Sequence, residues 1–166
     1  MTRIGLLSDT HSWWDNKYLD YFQSCDEIWH AGDIGSDNIT TRLSAICPVR
    51  AVYGNMDGYP IRVTYPKIAQ FTIEETRVLL THIGGYPGRY SPEIRKELYD
   101  YKPDLFVCGH SHILKVMYDD QLKCLHINPG AAGNSGIHQV RTLIRFDIDG
   151  KDIKDLEVIE LAKRLL

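Results

Sequence analysis

Five short apolar runs in this chain each end at a residue able to ligate a metal ion. That recurrence constrains the fold more than any other feature. Ile4–Leu7 leads into Ser8-Asp9-Thr10-His11, and Glu27–His30 leads into Ala31-Gly32-Asp33. Val49–Tyr53 leads into Gly54-Asn55-Met56-Asp57, Val78–His82 closes on Thr81-His82, and Leu105–Cys108 leads into Gly109-His110-Ser111-His112. Short runs rich in β-branched and aromatic residues, stopped by Gly, Asp or Asn, predict strands. A strand end is a rigid support, and open α/β sheets gather their ligand sites just outside the carboxyl ends of their strands.

Further strands are predicted at Ala69–Ile73, Leu114–Tyr118, Lys123–Ile127 and Val140–Ile148, with a last one over Asp155–Ile159. Between them lie helical patterns. Asp15 precedes a segment in which Tyr18, Leu19 and Phe22 share one face. Ser36–Ile46 opens with cap-type residues and stops at Cys47-Pro48. Ser91-Pro92-Glu93 supplies an N-cap, a proline at the first helical position and an acid in the first turn, predicting a helix to Tyr101. The first half alternates strand and helix and the second half is mostly strand. This predicts an α/β fold of two stacked sheets flanked by helices rather than one doubly wound sheet. With 166 residues, no repeat and no linker, a single domain over 1–166 is expected.

Composition narrows the function classes. Hydrophobic residues at 43% and charged residues at 25% are a globular balance, not a disordered or fibrous one. A net charge of -3 gives no basic coat, so nucleic acid is not the expected partner. The four cysteines form no CxxC pair and read as reduced, structural thiols. The N-terminus enters a strand pattern at once, without a signal peptide's apolar stretch, and no apolar run approaches the roughly 20 residues that span a bilayer. A soluble cytoplasmic protein with no membrane partner is the expectation.

Asp9, His11, Asp33, Asn55, His82, His110 and His112 form a mixed oxygen and imidazole set. Imidazole suits zinc, iron, nickel and copper, and the oxygen ligands also suit manganese or magnesium. Seven ligands exceed one tetrahedral zinc but suit two cations sharing a bridging carboxylate, about 3.5–4 Å apart, which can hold both oxygens of an in-line displacement.

The ordered set D-x-H, G-D, G-N-x-D, an isolated His and G-H-x-H resembles the calcineurin-like metallophosphoesterase superfamily. The resemblance runs from Asp9 to the turn Asn128-Pro129-Gly130, which is similar to the small single-domain bacterial and archaeal phosphodiesterase branch. It implies a four-layer αββα sandwich of two mixed sheets and hydrolysis of phosphoesters by a metal-bridging hydroxide. It also implies that Asp9, His11, Asp33 and His112 hold one cation, and that Asn55, His82, His110 and the bridging Asp33 hold the other. Manganese leads, with nickel, zinc, iron and magnesium as alternatives. Two divalent ions offset by Asp9 and Asp33 would leave a locally cationic site inside an acidic protein, suited to a phosphate.

The sequence departs from the family at one place. Many members carry a histidine after the G-N asparagine that binds phosphate or protonates the leaving group, and here Met56 stands there. A thioether does neither. Aryl esters, which need little protonation, should suffer least, and Asp57 or a metal-bound water is the substitute donor. The catalytic candidates are therefore Asp33, Asn55, Asp57 and His110, and the phosphate-holding candidates are Asn55 and Arg89. Arg89 sits in the aromatic, glycine-rich stretch Gly84–Tyr90 and fits a phosphate clamp or an exposed loop arginine equally well.

Taken singly, His11 would be a cap, Asp33 a turn residue and Asn55 a Gly-Asn turn former; the full ordered set favours the ligand reading of each. His30 and His126 read as packed strand histidines and His138 as a solvated one. Trp13 and Trp14 line a groove, form a partner surface or pack over a helix. The functions that follow are a phosphodiesterase acting on a small or nucleotide-like phosphoester, or a protein-interaction scaffold of the Vps29 type, which resembles these enzymes. A nuclease ranks below both, because the run from Lys96 to Lys102 offers little of a basic groove. A homo-oligomer is compatible with either of the first two.

Overall fold

The computed structural model describes residues 1–163, and its strands fall into two five-stranded sheets. In chain order the first half comprises β1 (Thr2–Leu7), α1 (Lys17–Phe22), β2 (Glu27–His30), α2 (Asp37–Ser44), β3 (Val49–Ala51), α3 (Ile61–Thr64), β4 (Ile68–Ile73) and β5 (Thr76–Thr81). The second half comprises β6 (Gly85–Tyr86), β7 (Arg89–Tyr90), α4 (Pro92–Tyr101), β8 (Leu105–Val107), β9 (Lys115–Asp119), β10 (Cys124–Asn128), β11 (Val140–Asp149) and β12 (Asp152–Lys163).

The first sheet has the order β12-β11-β1-β2-β3 and the second β4-β5-β8-β10-β9, with β6 and β7 forming a small separate hairpin. Both sheets are mixed. β1, β2 and β3 run parallel, as do β5, β8 and β10, while β11 and β12 continue the first sheet antiparallel and β4 and β9 flank the second antiparallel. Parallel neighbours need a crossover, and α1, α2 and α4 supply three of them.

Alternation along the strands builds three layers of apolar contact. Between the sheets, Ile4, Leu6, Trp29, Ile144 and Phe146 meet Val78, Leu80, Leu105, Val107 and Ile127. On the outer face of the first sheet, Tyr18 and Phe22 of α1 and Ile39 and Leu43 of α2 pack on Leu7, Ile28 and Leu143. On the outer face of the second, Ile94 and Leu98 of α4 pack on Leu79, Phe106 and Cys124. Each large side chain so buried contributes about 1.5–3 kcal/mol. The result is the expected αββα order of layers.

Local signals act as read. The Ser36 hydroxyl accepts from the Asn38 amide at 3.1 Å to cap α2, and Pro92 opens α4. Four details differ. Leu19, expected on one face with Tyr18 and Phe22, is 37% exposed, so only the other two pack inward. The strand expected over Val49–Tyr53 ends at Ala51, because the Tyr53 amide pairs with the Pro66 carbonyl outside the sheet. The last strand is longer than expected at both ends. The one-turn α3 and the β6–β7 hairpin carry no strong periodicity. All four cysteines are free. Among the described residues no helix is long and apolar enough to cross a membrane.

Candidate metal centre

The carboxyl ends of the parallel strands in both sheets meet at one edge. Asp9 and His11 follow β1, Asp33 follows β2 and Asn55 follows β3, while His82 follows β5 and His110 and His112 follow β8. The chain turns sharply to aim these side chains inward. Asp9 (φ 55°), His11 (φ 44°), Asp33 (φ 53°), His110 (φ 71°) and His112 (φ 63°) all have left-handed backbone. Such residues cost about 1–3 kcal/mol where strained, and they cluster at functional sites; Asp, Asn and His tolerate the conformation best. The loops are laced together by Asp9 N donating to Gly32 O (3.0 Å), His11 N to Asp33 O (3.0 Å) and Gly109 N to His82 O (2.9 Å).

Each aspartate has one oxygen tied and one aimed at the imidazoles. Asp9 Oδ2 accepts from Ser8 Oγ (2.6 Å) and His110 N (3.1 Å), while Oδ1 lies 3.2 Å from His112 Nε2 and 3.7 Å from His11 Nε2. Asp33 Oδ1 accepts from Met56 N (2.9 Å), while Oδ2 lies 3.1 Å from His82 Nε2 and 3.6 Å from His11 Nε2. Two trios result, Asp9-His11-His112 and Asp33-His82-His110, and within each the ligand atoms lie within 4.8 Å of one another. Asp9 Oδ1, His11 Nε2 and His82 Nε2 are buried without a hydrogen-bond partner. One such atom costs about 1–3 kcal/mol, so three converging on one point mark a place made for a cation.

Supporting hydrogen bonds fix the imidazoles. His82 Nδ1 donates to the Ala31 carbonyl at 2.7 Å, which leaves the Nε2 lone pair facing the aspartates. The His30 ring is wholly buried and bridges Thr10 Oγ1 (3.0 Å) to the Gly32 amide (3.1 Å), bracing the loops that carry Asp9 and Asp33. Asn128 donates to the Gly109 carbonyl (3.0 Å) and Ser111 Oγ (3.1 Å), holding the loop that carries His110 and His112.

The electrostatics agree. Burial would lift the Asp9 carboxyl, but the facing His11 and His112 hold it well below the ordinary carboxylate range. Asp9 chiefly lifts the His11 pKa, and Asp33 and Asp9 lift that of His82 against the opposing effect of burial. The two carboxylates form a negative focus that favours positive charge.

The calcineurin-like phosphoesterase superfamily domain model matches residues 2–151. The chain belongs to that superfamily. A protein described as a probable metallophosphoesterase, from Methanothermobacter thermautotrophicus, is 31% identical over 163 residues, covering 94% of this chain and 91% of its own. A solved archaeal phosphodiesterase superposes with a TM-score of 0.77 at 22% identity, covering 96% of this chain and 99% of that one. Vps29 from Entamoeba histolytica complexed with zinc superposes with a TM-score of 0.76 at 14% identity, covering 96% and 98%. At those identities the two structures speak for the fold alone.

Within this calcineurin-like phosphoesterase, the remaining residues singled out in the sequence take varied places. Asn55 and Met56 are exposed at the rim of an open depression of about 250 Å³ that His11, Asp33, His110 and His112 also line. Asp57 is a correction. Its buried carboxylate accepts from the amides of Gly54 (2.8 Å), Gly35 (2.9 Å) and Ile34 (3.1 Å), so it ties the loops of Asp33 and Asn55 together and has no proton to give into the depression. Arg89 is exposed on β7, outside the depression, and lines a neighbouring cavity that His110 borders.

His138 is a second correction. It is buried rather than solvated and touches His112. Trp14 packs edge-on against Tyr18 of α1 at 5.3 Å, the packing reading of that residue. Arg62 went unnoticed in the sequence. It donates to the carbonyls of Asn55 (3.2 Å) and Asp57 and stacks over Tyr53 (4.6 Å), clamping the G-N turn. No local pattern points to it.

Proposed function

We propose that this protein is a phosphodiesterase using two divalent cations. Asp9, His11, Asp33 and His112 would hold one, and Asn55, His82, His110 and the bridging Asp33 the other. Manganese is the first choice of ion. The observation that carries the proposal is the convergence of Asp9 Oδ1, His11 Nε2 and His82 Nε2, three buried ligand atoms without partners, on one edge shared by the sheets. Bound divalent ions would bring the pKa of a coordinated water near neutrality and offset charge developing on the phosphoryl oxygens.

The chain's own residues do the rest. Asn55, exposed at the rim, would offer its amide N–H to an incoming phosphoryl oxygen. Met56 offers no proton and the Asp57 oxygens are committed to backbone amides, so neither residue protonates the leaving oxygen. Esters with good leaving groups are therefore the best substrates. The archaeal structural relative is described as a phosphodiesterase, and the space beside His110 gives a diester's second arm somewhere to lie. The free cysteines suit a reducing compartment, in keeping with a cytoplasmic enzyme.

The second reading is an interaction scaffold, favoured by the likeness to a zinc-complexed Vps29. Metal binding alone does not separate the two. The deciding experiment offers metal-stripped protein an aryl phosphodiester and an aryl phosphomonoester, with manganese, nickel, zinc or magnesium added back. Diester turnover that needs metal and vanishes in Asp33→Ala and His110→Ala supports the phosphodiesterase. Absence of turnover with every ion, in protein that binds two of them, turns the assignment to the scaffold.

A further inference from the structure

β9 is the last strand of the second sheet, and one of its two edges has no strand beside it. Backbone directions fix which groups that edge presents. In β10 the Leu125 amide donates to the Asp104 carbonyl (2.9 Å) and the Ile127 carbonyl accepts from Cys108 N (3.1 Å), so both residues turn toward β8. Cys124, His126 and Asn128 therefore turn toward β9, where they stand opposite Asp119, Met117 and Lys115. Val116 and Tyr118 are left with their amides and carbonyls pointing away from the sheet.

The side chains are as open as the backbone. Ile113, Leu114, Val116, Met117 and Tyr118 are all exposed, and the one charge among them, Lys115, lies over the Tyr86 ring at 4.5 Å. Sheet edges are normally blunted by charge, proline, irregularity or shortness. The other three edges here are treated in that way. β12 carries Lys, Asp and Glu along its length, and its pairing with β11 has two register shifts. β3 has only three residues, and Phe71 of β4 lies under the Arg50 guanidinium at 4.4 Å. β9 is the exception.

We propose that β9 is a dimer interface, pairing antiparallel with β9 of a second copy to join the two second sheets into one of ten strands. The strand is complementary to itself. With Met117 on the two-fold axis, the five residues Lys115–Asp119 of each copy overlap completely. Val116 of each copy then exchanges backbone hydrogen bonds with Tyr118 of the other, and their side chains form an aliphatic–aromatic pair on the face of Leu125 and Ile127. On the opposite face Met117 meets Met117, and Lys115 of each copy stands across from Asp119 of the other. Asp119 is fixed there as an anion, accepting from Tyr90 Oη (2.6 Å) and the amides of Gln121 (2.9 Å) and Leu122 (3.1 Å). Registers centred on Val116 or Tyr118 lose this pairing of opposite charges and part of the overlap. The dimer does not depend on the phosphodiesterase reading and would serve a scaffold equally.

The test is the mass of the full chain in solution, by analytical sedimentation, at concentrations up to about 10⁻⁴ M. The parent should reach twice the protomer mass. Val116→Pro removes an outward amide and spares the β9–β10 ladder, and Met117→Lys sets two like charges on the axis. Each should weaken the dimer about tenfold or more, with an unchanged circular dichroism spectrum. Met117→Cys reads the register, because facing residues of a non-hydrogen-bonded pair lie about 4.5 Å apart at Cα, within disulfide reach. Oxidised by copper phenanthroline, it should give a covalent dimer on a non-reducing gel, while the parent and Leu114→Cys do not. Should Val116→Pro disturb the fold, Met117→Lys and the cross-link still decide. A parent that stays monomeric overturns the inference and leaves the edge to a strand of a different protein. A dimer that Met117→Lys leaves intact, or cross-linking as strong at Leu114→Cys as at Met117→Cys, overturns it as well.

Discussion

Nδ1 of His112 and Nδ1 of His138 lie 3.2 Å apart, so two ring nitrogens share one proton. The other nitrogen of His138 lies 2.7 Å from the Gly133 carbonyl, which can only accept. His138 therefore carries its proton on Nε2 and accepts on Nδ1. His112 must donate from Nδ1, and its Nε2 lone pair is left facing Asp9. Partners of this kind are worth about 10–100-fold in metal affinity. His138→Ala should lose metal affinity by that factor in a titration of stripped protein, while His138→Gln, whose amide oxygen can accept the same proton, should recover part of it. Equal affinity in all three proteins would refute the relay.

Asp57 is an acceptor for three backbone amides, and an asparagine there would turn its NH2 group on at least one of them. Asp57→Asn should lower unfolding stability by about 1–3 kcal/mol in urea titrations, the cost of an unsatisfied buried group. A loss confined to esters with poor leaving groups, at unchanged stability, would restore Asp57 as the proton donor.

Gly109 is required by a close approach. A Cβ there would stand 2.1 Å from Ser8 Oγ and 2.8 Å from Asp9 Oδ2, displacing the hydroxyl that holds the carboxylate. A misplacement near 1 Å costs about 10²-fold in rate. Gly109→Ala should show that loss in metal-dependent turnover, and a variant as active as the parent would show that Asp9 needs no such support.

Met56 is 70% exposed at the rim of the depression. An imidazole there is free to act as a general acid, a contribution of about 10²–10⁴-fold where the leaving group needs a proton. Met56→His should raise turnover of alkyl diesters and leave aryl diesters nearly unchanged. Parallel changes in both classes would mean that the imidazole acts only as a charge.

Two buried histidines make folding less favourable as pH falls below ~6.5. Burial is the main cause that pushes both His30 and His126 down to about 4. For His30 the bonding pattern adds to it. Thr10 Oγ1 donates to the Ile34 carbonyl (2.8 Å) and so must accept from His30 Nε2, while His30 Nδ1 accepts from Gly32 N; a second ring proton would face an N–H. Above pH ~6.5 neither state binds the proton and these groups do not make stability pH-dependent. Below it the unfolded chain takes up protons that the folded one refuses, so stability falls by about 1.4 kcal/mol per pH unit per histidine until pH ~4. His126→Phe should be more stable than the parent at pH 7 and should lose about one histidine's share of that slope, both readable from urea unfolding at pH 7 and pH 5. An unchanged slope would mean that His126 keeps an ordinary pKa.

The strands whose ends carry the centre are legible in the sequence because two independent signals coincide there: an apolar run that needs burial and a polar residue that stops it. Asp9, Asp33, His82 and His110 are legible for that reason. Asp57 was not legible in its true role, because its partners Ile34 and Gly35 lie more than twenty residues away and offer only backbone amides, which no side-chain pattern marks. His138 was misread for the same reason, since its partner His112 lies 26 residues earlier. The β6–β7 hairpin rests on two residue pairs, too few for a periodicity, so Gly84–Tyr90 read as open loop. The layering was legible as two sheets flanked by helices, but the strand order was not, because it depends on β11 pairing antiparallel with β1 across most of the chain.

Each trio of the centre draws on both sheets. Asp9 and His11 from the first meet His112 from the second, and Asp33 from the first meets His82 and His110 from the second. Either sheet can pair its own strands while the chain is still half assembled, but neither can close a coordination shell by itself. On the proposed centre, an ion is fully held only once the two sheets have met. A partly folded chain can neither capture its ions tightly nor hydrolyse an ester by accident.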